Sequence, residues 1–311
     1  MDFELRHSFK KIVKQLLKYF FSILLKANVF TPKVVVRMDG GICSQMHFFL
    51  IGQLFHKKGW CVEYDLSWFK NGKDLTGCFE RNFDLLKLFP NLKFEKASYL
   101  TLKIYSFLFN CENDYFSDKK LSLTYLNLIP PVYLSGYYQD PLSLYTVDFK
   151  QYFHVSEDIL NERNLLVLNN IQKYENSVAI HVRRGDLSQY LEAYGHPASI
   201  HYFYEAISYF NKKYNECFYF IFSDEPEWCR AHLVEELPID NKYQIVDVNG
   251  SDKGYMDLVL ISKCRHKIAS KGSLGKYGSL LSTTFGDVVV CDDASEKEWR
   301  EIIPNALCFS I

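Results

Sequence analysis

At 311 residues, 48% hydrophobic and 23% charged, the chain is long enough for one large or two ordinary domains and has a globular composition. A net charge of −1, from 36 Lys+Arg against 37 Asp+Glu, leaves no global field for nucleic acid. Nine cysteines, scattered from Cys43 to Cys308 without a C-x-x-C pair, give neither metal spacing nor a disulfide framework, which makes a reducing cytosol the simplest home.

The N-terminal stretch differs from the rest. Residues 1–33 hold Arg6 and six lysines against Asp2 and Glu4, while Ile12, Val13, Leu16, Leu17, Phe20, Phe21, Ile23, Leu24 and Leu25 recur at roughly helical spacing. The run Tyr19–Leu25 is too short to span a bilayer, and no small-residue cleavage site follows it. Two readings fit residues 1–30: a basic amphipathic helix on an anionic membrane surface, or a helix packed on the protein with its lysines in solvent. Pro32 ends the segment. Val34–Met38 reads as a strand, and Asp39-Gly-Gly leads into a helix running to about Lys57. Gly40 and Gly41 permit close backbone approach at that turn, although the pattern is neither G-x-G-x-x-G nor a P-loop. Cys61–Asp65 is a second strand; residues 71–131 read as irregular with short helices such as Phe83–Phe89; Val132–Gly136 is a further strand before the cluster Gly136-Tyr-Tyr-Gln-Asp140. Residues 156–173 have helical periodicity, and the domain boundary is placed at about 155–176.

Next comes Ala179-Ile-His-Val-Arg-Arg-Gly-Asp-Leu187. Ser177–Val182 is a short apolar run suited to a buried parallel strand, and it ends abruptly in Arg183, Arg184, Gly185 and Asp186. Two guanidiniums at a strand's carboxyl end suit phosphate oxygens, and ligands of open α/β sheets sit at that edge. Asp186 has three possible uses: orienting an arginine, holding a sugar hydroxyl, or accepting a proton. The plainer reading is an Arg–Asp pair closing a surface turn. Residues 188–198 read as a polar loop containing Glu192, and Ile200–Tyr214 as a helix. Strands follow at Cys217–Asp224, Gln244–Val248, His266–Ser270 and Asp287–Cys291, the last of the chain, with a helix at Tyr255–Cys264. This alternation argues for βαβ units and a parallel sheet. Arg183, Arg184, Asp186, Ser223, Asp224, Ser270 and Ser273 gather at its strand ends, as a nucleotide-type pocket requires.

These residues carry a resemblance. From about residue 34 onward the chain resembles the inverting α-1,2-fucosyltransferases of glycosyltransferase family 11. His181-Val-Arg-Arg-Gly-Asp186 matches the family's H-x-R-R-x-D box, and four weaker elements keep the family order. Gly40-Gly-Ile-Cys-Ser-Gln-Met46 resembles G-G-L-G-N-Q-M, and Gly136-Tyr-Tyr-Gln139 resembles G-Y-x-Q. Phe222-Ser-Asp-Glu-Pro-Glu-Trp228 is similar to F-S-D-D-x-x-W, and Asp257-Leu-Val-Leu-Ile-Ser262 to D-x-x-L-M-S. The resemblance implies a GT-B fold, α/β with two Rossmann-like domains on parallel sheets. It implies residues 31–165 as an acceptor-side domain and 166–311 as the nucleotide-sugar domain, with the basic helix of 1–30 in front. The donor would be GDP-fucose, bound without a metal by His181, Arg183, Gly40, Gly41, Gln45, Ser223, Asp224 and Ser273. Arg184 would neutralise the leaving diphosphate, and Asp186 or Glu192 would take the acceptor's proton. The acceptor would be an oligosaccharide or lipid-linked glycan of surface polysaccharide or O-antigen synthesis, and the location cytoplasmic, on the inner face of a membrane.

Departures from the family pattern bear on the donor. Ser44 stands where the family has Asn, and the family's N-S-S-F-S-W-W-G reads Lys271-Gly-Ser-Leu-Gly-Lys-Tyr-Gly278. The two added lysines could supply phosphate charge while base or sugar contacts change. Alternatives are therefore a same-fold transferase with another donor or linkage, and a catalytically silent nucleotide-sugar-binding subunit.

Overall fold

Val34, Val35 and Val36 are wholly buried in β1 (Lys33–Arg37), where β-branched side chains fill the pleat between helix and sheet. β1 pairs in parallel with β2 (Cys61–Asp65), from Lys33↔Cys61 to Arg37↔Asp65, and on its other side with β4 (Val132–Leu134). The two-residue β3 (Asn110–Cys111) completes the order β2-β1-β4-β3. This computed structural model describes residues 2–72, 81–111, 127–136, 149–189, 191–291, 299–303 and 306–309. The helix Ile42–Lys57 joins β1 to β2 and buries Met46, Phe48, Phe49, Leu50, Ile51 and Phe55.

The second sheet is built from β5 (Ser177–Val182), β6 (Phe218–Ser223), β7 (Tyr243–Val246), β8 (His266–Ala269), β9 (Val288–Cys291) and β10 (Ala306–Phe309). Every pairing is parallel and the order is β10-β9-β8-β5-β6-β7. Counted from its own first strand, that order is 3-2-1-4-5-6, the doubly wound arrangement of dinucleotide-binding sheets. The helix Ile200–Lys213 explains how the sheet is covered. Ser199 caps it, its Oγ accepting from the Tyr202 N–H at 3.1 Å, and Tyr202, Phe203, Ala206, Ile207 and Phe210 bury one face. Each large side chain removed from water contributes about 1.5–3 kcal/mol.

Contacts group Met1–Asp39, Ser44–Asn71 and Lys93–Asp140 into one unit, and Gly40–Cys43, Gly72–Leu92 and Pro141–Ile311 into another. The division is discontinuous, and it places residues 149–165 with the second sheet, on the other side from the linear boundary at 165/166. Each unit is α/β around a parallel sheet, the architecture of a GT-B protein.

Three local expectations are corrected. The stretch read as irregular contains the helix Tyr99–Leu108, capped by Ser98 and buried through Tyr105 and Leu108; alternation of Leu100, Leu102 and Ile104 hides its period. The polar loop at 188–198 is partly helical, with Gly185–Gln189 and Leu191–Tyr194 as short helices. Finally, Val288–Cys291 is not the last strand: β10 adds itself to the sheet edge, half-exposed and only four residues long. Of the Gly136-Tyr-Tyr-Gln139 segment, residues 137–139 lie outside the described residues.

Candidate active site

In the order 3-2-1-4-5-6 the chain reverses direction between β5 and β8, and the crevice outside their carboxyl ends is where such sheets bind ligands. Two backbone links fix those ends to each other. The Ser270 N–H donates to the His181 carbonyl at 3.2 Å, and the Arg183 N–H donates to Ser270 Oγ at 3.1 Å. Arg183 therefore leaves β5 directly over the segment Lys271-Gly-Ser273 that follows β8. Gly272 has φ +87°, and a Cβ there would lie 2.8 Å from Arg183 Cδ, so both the conformation and the space demand glycine.

Asp186 fixes the Arg183 guanidinium. Nε donates to Oδ1 at 3.0 Å and Nη2 to Oδ2, so a buried carboxylate holds the fork in one plane. Asp224, at the end of β6, clamps the turn from the other side. Its Oδ1 accepts from the Arg184 N–H at 3.0 Å and its Oδ2 from the Gly185 N–H at 3.2 Å. Asp224 keeps an exposed face, yet crowding by surrounding protein raises its carboxyl above the usual range despite the pull of Arg183 and of the Arg184 N–H. Arg184 is aimed at the β6 side. Its guanidinium carbon sits 3.6 Å from the Trp228 ring centroid, and Nε donates to Glu225 Oε2 at 3.3 Å.

His181 lies beneath the crevice. Its ring is buried, Nδ1 has no hydrogen-bond partner among the described residues, and Cε1 is 3.9 Å from the Cβ position of Gly272. Burial lowers its pKa to about 3, with Arg183 and Lys276 adding to the effect, so the imidazole is neutral at ordinary pH. A neutral, buried ring nitrogen without a protein partner is a hydrogen-bonding site for a ligand. Gly275 makes this packing possible: a Cβ there would meet His181 Cβ at 2.9 Å and Ala269 Cβ at 3.0 Å.

The structure thus brings together His181, Arg183, Asp186 and the 271–273 segment, with Arg184, Ser223 and Asp224 on the β6 flank. Ser223 shapes the turn, its Oγ accepting from the Glu225 N–H at 3.0 Å. Ser273 stands at the start of the helix Leu274–Leu281, and burial pushes the Cys43 thiol up to about 12, with Ser273 acting to lower it. The turn Gly40–Cys43 groups with the second unit. The two lysines of the altered segment part company. Lys271 Nζ reaches the left-handed turn at Gly195, lying 2.9 Å from the Cβ position there. Lys276 is fully buried in the following helix, 5.4 Å from the Trp299 ring centroid. Gln45 is wholly buried in the first unit. Glu192 is exposed on the short helix Leu191–Tyr194, and among the described residues its side chain makes no ion pair or hydrogen bond.

Two features escaped the sequence reading. Asp39, at the carboxyl end of β1 and thus at the first sheet's own reversal point between β1 and β4, is half-buried. Burial raises its carboxyl above the usual range against the pull of Arg37. Asp257, which carries the D-x-x-L-x-S resemblance, is structural. Its Oδ1 accepts from Asn249 Nδ2 at 2.7 Å, and Asn249 is joined in turn to Asn164.

The profile described as Glycosyl transferase family 11 matches residues 86–301. An alpha-1,2-colitosyltransferase of Escherichia coli is 28% identical over 120 residues, 37% of this chain and 39% of its own. The O-antigen biosynthesis glycosyltransferase WbnK of Escherichia coli is 24% identical over 218 residues, 66% of this chain and 63% of its own. The chain therefore spans less than two thirds of either relative's length. Among solved structures, the fucosyltransferase NodZ from Bradyrhizobium is similar at 10% identity with a TM-score of 0.43, over 81% of this chain and 93% of that one.

Proposed function

Because the chain belongs to glycosyl transferase family 11, we propose that it is an inverting glycosyltransferase that moves fucose from GDP-fucose to a galactose-type hydroxyl, forming an α-1,2 linkage in O-antigen or a related surface polysaccharide. The observation that carries this reading is the Arg183–Asp186 fork held over Gly272 at the reversal point of a doubly wound parallel sheet. In the reaction the acceptor oxygen attacks the anomeric carbon from the face opposite the nucleotide. The bond from that carbon to the diphosphate oxygen breaks, and GDP leaves with the electron pair. Arg183 neutralises the charge that grows on the diphosphate, Arg184 contributes from the β6 flank, and His181 Nδ1 serves as a hydrogen-bonding partner for the donor. The proposed diphosphate binding needs no metal, so chelators should leave turnover unchanged; a strict Mg²⁺ or Mn²⁺ requirement would remove that part of the reading.

Asp186 is a poor proton acceptor, because it is buried and spent on Arg183. Glu192 is the better candidate. Glu192→Gln tests it: kcat should fall while GDP binding is kept, and an unchanged kcat would remove Glu192 from the mechanism. The working location is the inner face of a membrane, where a lipid-linked acceptor is presented.

A second donor is favoured by two observations, the altered 271–278 segment and the similarity to a colitosyltransferase. Product formation from GDP-fucose and from GDP-linked colitose, with GDP-mannose and UDP-galactose as controls and a β-galactoside acceptor panel, decides between them. Turnover with GDP-fucose supports the first reading, and turnover with colitose alone the second. Failure to bind GDP at all would overturn both.

A further inference from the structure

The helix Asp2–Lys26 carries apolar side chains in two directions. On one side, Phe21 packs edge-on against Phe30 and Phe109 of the first unit, at 5.0 and 5.9 Å, with Lys14 Nζ 5.8 Å from the Phe107 ring. That side accounts for the helix as a packed element. It does not account for Phe9, Ile12, Leu16, Phe20 and Ile23, which follow one another in steps of three and four and so line a single stripe. They are 68%, 52%, 64%, 52% and 48% exposed. Single exposed apolar residues are ordinary, but a continuous row of five along one helix marks a surface that meets something apolar.

Charge identifies the partner. Lys11, Gln15, Lys18, Ser22 and Lys26 step along the helix in the same three-and-four rhythm and form a basic face about a third of a turn round from the stripe, which Gln15 and Lys26 border. From Leu5 to Met38 the chain has no acidic residue, although its net charge as a whole is −1. A helix designed only to face water would mix both signs. A second copy of this chain would bring the same lysines against these, so self-association is opposed by like charge. No helix among the described residues is long and apolar enough to cross a membrane. An apolar stripe adjoined by a basic face matches a helix lying in the plane of a bilayer, with rings and aliphatic chains among the acyl groups and ammonium groups at anionic headgroups.

We propose that the helix Asp2–Lys26 docks on an anionic lipid bilayer through the stripe Phe9–Ile12–Leu16–Phe20–Ile23, with the adjoining basic face of Lys11, Lys18 and Lys26 drawn to the anionic headgroups. The face turned to the lipid is the one opposite the Phe21 contact, so docking requires no unpacking of the first unit.

The test is sedimentation of the purified full chain with phosphatidylglycerol vesicles and with pure phosphatidylcholine vesicles, at low and high salt. Binding to the former, weak binding to the latter and release by salt are expected. Leu16→Ser with Phe20→Ser should abolish binding; Lys11→Gln and Lys18→Gln should each weaken it roughly fivefold. Phe285→Ser, which removes an exposed ring outside the helix, should change nothing. Unchanged melting temperatures confirm folded variants. Full binding by the Leu16/Phe20 variant, equal binding to both lipids, or a lipid-free dimer that this variant dissolves would each overturn the proposal. Binding is read without turnover, so failure here leaves the transferase reading intact.

Discussion

Both edges of the second sheet concentrate charged and hydroxylic side chains, yet only one has the makings of a site. At the amino edge, Asp287 Oδ2 accepts from the Tyr209 hydroxyl at 2.6 Å, Lys213 Nζ at 2.6 Å and the Tyr214 hydroxyl at 3.0 Å. Burial works against the carboxylate, but these donors together hold its pKa below the usual range. His266 beside it accepts from the Asp287 N–H and lies against the Tyr214 ring at 4.3 Å. The carboxylate is thus satisfied within the cluster, while the buried His266 Nε2 has no hydrogen-bond partner among the described residues. At the carboxyl edge the pairs serve instead to aim groups: Asp186 sets the plane of Arg183, Asp224 holds the turn, and glycines at 272 and 275 clear space above and around His181. Charge density alone does not mark a site. Charges fixed around cleared space do, and this difference can be tested from both sides.

Arg183→Ala should produce the largest effect. Loss of one preorganised group that stabilises developing charge typically costs 10²–10³-fold in kcat; the melting temperature should fall as well, because the buried Asp186 carboxylate loses its partner, so kcat is compared at a temperature where both chains are folded. Arg184→Ala should cost roughly tenfold, since its guanidinium is stacked on Trp228 and turned toward Glu225. If Arg184→Ala proves the dead variant and Arg183→Ala the mild one, the sequence-based assignment of Arg184 to the leaving group holds and the crevice geometry misleads. Asp287→Asn is the converse experiment. It should destabilise the fold by about 1.5–3 kcal/mol through three weakened charge-assisted bonds, while kcat stays within error. A large fall in kcat with an unshifted melting temperature would make the amino edge functional and erase the contrast.

The sequence disclosed the second sheet well because its strands are buried on both faces. Ser177–Val182 and Phe218–Ser223 are uninterrupted apolar runs, and parallel pairing follows from their alternation with helices. The carboxyl-edge chemistry was legible for the same reason: polar residues begin where each run stops. Partner choice was only partly legible. The Arg183–Asp186 pair, three residues apart, was among the readings of the turn, but nothing local says that Arg184 turns to Trp228 or that Lys271 and Lys276 separate, since those contacts join residues far apart in the chain. The helix Tyr99–Leu108 was obscured because residues 100, 102 and 104 alternate like a strand, and only the Ser98 cap and the packing of Tyr105 decide the matter.

The smallest effect concerns a third region at the same carboxyl edge, the network of Asp257, Asn249 and Asn164. Desolvation raises the Asp257 carboxyl from 3.8 to about 7, with the Asn249 hydrogen bond pulling the other way. Between those values the folded chain binds the proton that the unfolded chain has released, so this group's contribution to stability falls as pH rises through that window. His181 and His266 act in the opposite sense. Burial lowers them to about 3 and about 4 from 6.5, so the unfolded chain takes up their protons first and stability rises with pH toward 6.5. The two trends offset each other in a single stability curve, and only a difference between variants separates them. Asp257→Asn retains an oxygen to accept from Asn249 but cannot ionise. Relative to the parent it should show no gain near pH ~4 and a growing gain toward pH ~8, on the order of 1 kcal/mol, less than the ~1.4 kcal/mol per pKa unit of a fully desolvated group because the side chain keeps some solvent contact. A difference that stays flat across that range would mean that Asp257 ionises freely in the folded chain. The carboxyl edge would then hold a further anionic group beside Asp186, Asp224 and Glu225, set among the described residues against the positive charge of Arg183, Arg184 and Lys271 that a diphosphate requires.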